Sequence, residues 1–198
     1  MINWKTASRI VFIATLFQLP PVEVRAQNLP TREEVLHSVF PGSEVRSEKL
    51  YLTREQVRRA SEIAGGSLET RLVARYVATR NGETIGSAYI DTHTVRTKKQ
   101  SLIICIDPDG RVLRVEATAF LEPPEYLASE PFLEQYEGRA LSRELHLNRR
   151  IRPIAGATLT VQAVNRAVRR ILALDRILTA ERAGSAEERH ENTTGSKR

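Results

Sequence analysis

Two stretches decide how this chain folds: RLVARYVATRNGETIGSAYIDTH at 71–93 and SLIICIDPDGRVLRVEATAF at 101–120. In the first, Leu72, Ala74, Tyr76 and Ala78 alternate with Arg71, Val73, Arg75 and Val77, the period of two that belongs to a strand. Asn81-Gly82 follows, the strongest short signal for a tight hairpin turn, and Glu83 to His93 is the partner strand. The second stretch opens with the apolar run Leu102-Ile103-Ile104-Cys105-Ile106, a third strand over Ser101 to Ile106. Asp107-Pro108-Asp109-Gly110 is turn chemistry, with Pro at the second position and Gly at the fourth. A fourth strand runs from Arg111 to Phe120. The pattern predicts a four-stranded antiparallel meander of consecutive hairpins. Cys105, in its apolar centre, reads as a small buried hydrophobe and not as a nucleophile.

Helical signals flank this sheet. Thr31-Arg32-Glu33-Glu34 and Thr53-Arg54-Glu55-Gln56 are both capping boxes. Pro41-Gly42 stops the first helix, and Gly65-Gly66 stops the second after Ile63. Leu121 to Leu127 reads as an irregular loop containing Glu122-Pro123-Pro124-Glu125, after which Ser129 can cap a short helix through Phe132, Leu133 and Tyr136, ended by Gly138. The best helix is the last. Val161, Val164, Val168, Ile171, Leu172, Leu174 and Leu178 form an apolar stripe from Leu159 to about Leu178. The fold class is therefore α+β, a twisted antiparallel sheet of about four or more strands with helices packed on one side and a long C-terminal helix.

The remainder is address and linker. Lys5 and Arg9 precede the apolar run Ile10 to Leu19, and Val24-Arg25-Ala26 offers small residues for a cut after Ala26. This describes a secretory signal over residues 1–26 and an exported protein, periplasmic or otherwise extracytoplasmic. An uncleaved anchor or a buried helix are the other readings of that run, which is shorter than the ~20 apolar residues of a membrane span. Residues 27–50 read as linker and short helix, 51–180 as the folded domain, and 181–198 as a disordered polar tail.

The chain has 198 residues, 30 Lys plus Arg against 24 Asp plus Glu, one cysteine and four histidines. One cysteine excludes an intramolecular disulfide and a multi-cysteine metal site, and no two histidines have the spacing of a helical metal pair. The net charge of +6 is not clustered with aromatics, so nucleic acid is not the partner. Arg166, Arg169, Arg170 and Arg176 read as a solvated helix face, with attraction to anionic lipid or an acidic redox partner as the functional alternative. There are no paired carboxylates with distinctive spacing, no nucleophile triad and no dinucleotide fingerprint.

Chemistry concentrates at Ala155-Gly156-Ala157-Thr158-Leu159-Thr160, immediately before the long helix. The first turn of a helix presents unpaired N–H groups and the positive end of its dipole. Small residues let the backbone approach a ligand, and two threonines add hydroxyls, which together suit a phosphate. The plainer reading is that Thr158 or Thr160 is an N-cap.

Ile154-Ala155-Gly156-Ala157-Thr158-Leu159-Thr160 followed by an apolar helix resembles the signature of the FMN-binding domain family, which includes the periplasm-facing subunits of the sodium-translocating quinone reductase and of the Rnf complex. The resemblance covers roughly residues 71–178, with Gly86 early in the second strand and Glu122-Pro123-Pro124-Glu125 where the family has Glu-Thr-Pro-Gly. It implies that residues 51–180 are an FMN-binding domain with FMN esterified through its phosphate to Thr158. Ala155, Gly156, Ala157, Leu159 and Thr160 would contact the phosphate, and Glu122 and Pro123 would lie near the flavin. It implies an electron carrier and not a turnover enzyme, membrane-associated, exchanging electrons with a membrane oxidoreductase or a cytochrome, and loaded by a flavin transferase. Reversible FMN binding, or the same fold without flavin, is the alternative. Arg152 departs from the family's Asp, and Pro123 from its Thr.

Overall fold

In a computed structural model, which describes residues 28–68, 70–154 and 156–195, with side chains as far as Ser185, both capping boxes form. Thr31 accepts from the Glu34 N–H while the Glu34 carboxylate accepts from the Thr31 N–H, starting α1 at Arg32–Val39. Thr53 and Gln56 make the same exchange at the start of α2, Arg54–Ala64. That helix ends at Gly65, whose φ of 70° is the left-handed conformation glycine adopts without cost. The segment 1–26, read as a secretory signal, lies outside the described residues, as do Gln27, Glu69, Ala155 and 196–198.

The meander is present and has a fifth strand. β1 (Glu44–Tyr51), β2 (Leu72–Arg80), β3 (Glu83–Thr94), β4 (Lys99–Ile106) and β5 (Val112–Phe120) form one antiparallel sheet in sequence order. Asn81 and Gly82, with φ of 53° and 82°, make the β2–β3 turn. The β4–β5 turn closes with the Gly110 N–H on the Asp107 carbonyl, and Asp107 Oδ1 accepts from the N–H groups of Asp109 and Arg111. β1 gave no period-two signal because it is a largely exposed edge strand carrying Glu44, Arg46, Glu48 and Lys49, the charge that guards an open edge. Its full pairing with β2 carries the folded unit back across the boundary expected at residue 50.

Helices lie on both faces, not one. On the larger face, Val73, Tyr89, Leu102, Ile104, Ile106, Val115 and Ala117 pack with α2, the segment from Ala128 to Ile151, and α4 (Thr158–Gly195). On the other face, Ala78, Ala88, Ile103 and Cys105 pack with Val35, Leu36 and Phe40 of α1 and the turn after it. Gly86 permits that contact, since a Cβ there would stand 2.6 Å from Phe40 Cε1 and 2.7 Å from the Ile106 carbonyl oxygen. Cys105 is wholly buried, and burial pushes its thiol up to about 12.

α4 also departs from expectation. It is covered on nearly every side: besides the apolar stripe, Ala163, Asn165, Ala167, Arg169, Ala173 and Asp175 are buried. The reading of Arg169 and Arg170 as solvated is therefore corrected. Arg169 donates to the carbonyls of Ala64, Ser142 and Leu145, tying α2 and the 142–145 loop to α4, and Arg170 pairs with Asp91. Only Arg166 and Arg176 of that set stay exposed. The helix continues past Leu178 into the segment read as a disordered tail. There Glu181 accepts from Gln56, and Arg182 donates to Glu48.

Candidate functional site

The first turn of α4 is built unlike those of α1 and α2. The Val161 N–H bonds the Ala157 carbonyl at 2.9 Å, which makes Ala157 the N-cap and Thr158 the first helical residue. A methyl group cannot cap, and no described side chain bonds the N–H groups of Thr158, Leu159 or Thr160. These are the groups that an α-helix leaves without internal acceptors. The plain reading of Thr158 or Thr160 as the N-cap therefore gives way. Gly156, at φ 86°, swings the chain into the helix. Thr158 and Leu159 are exposed, whereas Ala157 and Thr160 are buried.

This turn forms one wall of a depression of about 110 Å³, and Arg96 and Tyr126 form the other. Arg96 comes from the β3–β4 hairpin, and Tyr126 from the 3₁₀ turn Pro124–Tyr126. The Arg96 guanidinium carbon lies 4.8 Å from the centre of the Tyr126 ring, a cation–π pair that places a positive charge in the lining of the depression. Sequence reading passed over both residues. The available signal was the basic run Val95-Arg96-Thr97-Lys98-Lys99 at the tip of a hairpin.

The two loop residues named from the resemblance take other places. Glu122 does not line the depression. Its Oε1 accepts from the N–H groups of Thr97 and Lys98, both at 2.7 Å, and of Arg96 at 3.2 Å. These backbone donors hold its carboxyl below the usual carboxylate range. Glu122 shapes the hairpin that carries Arg96, so it acts on the corner through another residue. Pro123 precedes the 3₁₀ turn and also lies outside the lining. Arg152 is exposed, and Gln135 bonds its N–H and its carbonyl. Ala155 is outside the described residues.

A second polar group lies under the middle of α4. Asp91 Oδ1 pairs with His93 Nδ1 at 2.7 Å, and the Asp91 carboxylate takes Arg170 Nε and Nη2 at 3.0–3.3 Å. Burial pushes the Asp91 carboxyl up, but the His93 bond and the Arg170 charge outweigh it and leave it below its ordinary value. Further along, Asp175 accepts from the Tyr89 hydroxyl at 2.7 Å, and burial raises both groups. Asp91 and His93 could have been found by their i, i+2 spacing on one strand face.

Among the described residues no group of three or more His, Cys, Asp or Glu could hold a metal ion, and no helix is long and apolar enough to cross a membrane. No family model, curated protein or solved structure matches the chain.

Proposed function

We propose that the protein is an exported FMN-binding electron carrier whose FMN is esterified through its phosphate to Thr158. The observation that carries this reading is the uncapped start of α4. It offers three unsatisfied backbone donors, an exposed threonine hydroxyl beside them and the Arg96 charge on the facing wall. An anion at a helix N-terminus answers the first and third of these. The depression of about 110 Å³ falls below the roughly 300–1,000 Å³ of pockets that enclose a small molecule. The residues therefore fit the phosphate end of the group.

When bound, FMN supplies transfer of one or two electrons, while the protein supplies binding, orientation and tuning. The N–H groups of Thr158, Leu159 and Thr160 would hold the phosphate. Arg96 would offset its charge, and Gly156 and Ala157 would let the backbone come close. Glu122 would keep the hairpin in place, and an ester at Thr158 would prevent loss of the group outside the cytoplasm. A flavin transferase would load it, and a membrane oxidoreductase or cytochrome would exchange its electrons.

Co-expression with a flavin transferase tests this. The purified protein should be yellow, its denatured gel band should fluoresce, and Thr158→Ala should remove that fluorescence. Colourless wild-type protein under those conditions would overturn the reading. Reversible binding is the second reading, favoured by Arg152 standing where the resemblance implies Asp. Free flavin in the filtrate after denaturation would establish it instead.

A further inference from the structure

β3 outruns its neighbour on one side. Its pairing with β2 ends at Ala74↔Ile90, whereas its pairing with β4 continues to Thr94↔Lys99. At that unshared stretch, with Arg170 and Ile171 of α4 in its wall, lies a cavity of about 510 Å³, within the range of small-molecule sites. Leu68, Val73 and Ile171 give it apolar walls, and Asp91, His93, Lys99 and Arg170 give it charge and polarity. From position 158 to position 170 the helix rises roughly 18 Å at 1.5 Å per residue, so this cavity is separate from the threonine turn.

The polar groups here are held but not all used. Asp91 engages Nδ1 of His93 together with Nε and Nη2 of Arg170, which fixes both side chains. Nη1 of Arg170 has no partner among the described residues, and the Arg170 side chain is only 12% exposed. Nε2 of His93 is buried and also unpartnered, in a side chain 8% exposed. The register partner of His93 is Gln100, wholly buried, and neither of its amide atoms is bonded. Buried polar groups without partners are rare and costly, and apolar side chains would avoid that cost. Among the described lining residues, Lys99 and Arg170 outweigh Asp91 by one positive charge.

We propose that this cavity binds a small organic anion, a carboxylate on an apolar body, with Arg170 and Lys99 as its charged contacts and His93 as a polar one. The apolar walls take the body, and the fixed guanidinium takes the carboxylate by a charge-assisted hydrogen bond. The site is independent of flavin attachment at Thr158.

Titration of the full chain with octanoate, followed by the imidazole signals of His93 in NMR, tests it. Octanol and octylamine serve as controls. Octanoate should give a saturable single-site shift, octanol should bind at least about tenfold more weakly, and octylamine should give no shift. Arg170→Gln should weaken octanoate about tenfold or more. Because that change strips Asp91 of its charged partner Arg170, Lys99→Gln carries the test on an exposed residue, with about threefold weaker binding and an unchanged Tm. No saturable shift, octanol binding as tightly as octanoate, or wild-type affinity in Lys99→Gln would each overturn the proposal.

Discussion

Helices α2 and α4 begin in opposite ways. At α2, Thr53 and Gln56 satisfy each other's backbone, and the first turn closes on itself. At α4, Ala157 occupies the cap position and closes nothing. Yet α4 is the longest helix and the more deeply buried. Burying Val161, Val164, Val168, Ile171, Leu172, Leu174 and Ile177 contributes roughly 1.5–3 kcal/mol each, against about 1 kcal/mol for a cap. A short helix with one wet face depends on its local start, whereas a helix embedded in the core does not. The first N–H groups of α4 are thereby free of structural duty and can be given to a ligand.

If α4 is held by its middle, removing Asp91 should have the largest effect on stability. Asp91→Ala leaves Arg170 buried and unpaired and should cost about 3 kcal/mol or more at neutral pH, read by urea unfolding. The Asp91 carboxyl is held below its ordinary value, so its contribution is fully present above the unfolded pKa of about 3.9. It is lost as pH falls through the lower folded value, so the gap between wild type and variant should close only in that acid range. A gap that narrows between neutral pH and about pH 5 would place the coupling elsewhere.

Thr53→Ala should cost about 1 kcal/mol, because it opens the closed start of α2. Ala157→Asp sets a carboxylate where a phosphate would sit, so flavin incorporation should fall. Because Ala157 is packed in the core, desolvation of the carboxylate offsets the gain from capping, and the test reads flavin uptake in protein shown by circular dichroism to be folded. If the folded variant takes up flavin as before, the start of α4 is not the phosphate site. Thr158→Ala should shift stability by less than about 0.5 kcal/mol while removing all gel fluorescence. A large loss of stability there would mean that Thr158 has a structural role after all.

Much of the fold was legible because local chemistry repeats the global pattern. Asn81-Gly82, Asp107-Pro108-Asp109-Gly110 and the two capping boxes each specify one geometry, and all four take it. β1 was not legible because an exposed edge strand needs no alternation of apolar residues. The burial of Arg169 was hidden for a different reason. Its partners are the carbonyls of Ala64, Ser142 and Leu145, and backbone groups leave no mark in side-chain spacing. At the candidate site, the turn 156–160 could be read because its small residues are contiguous. Arg96 and Tyr126 reach it from separate loops, and only tertiary structure joins them. Glu122 was noticed for its loop, but its work is to gather three N–H groups some 25 residues earlier in the chain.

The lone thiol of Cys105 has a practical consequence. It sits on β4, paired on both sides by β3 and β5, and is sealed beneath α1. An alkylating reagent reaches it only when the sheet parts, so the rate of modification reports the opening equilibrium of the whole domain. The natural chain thus carries its own single-site gauge of unfolding. Protein with and without added flavin or organic anion can be ranked with it without inserting any label.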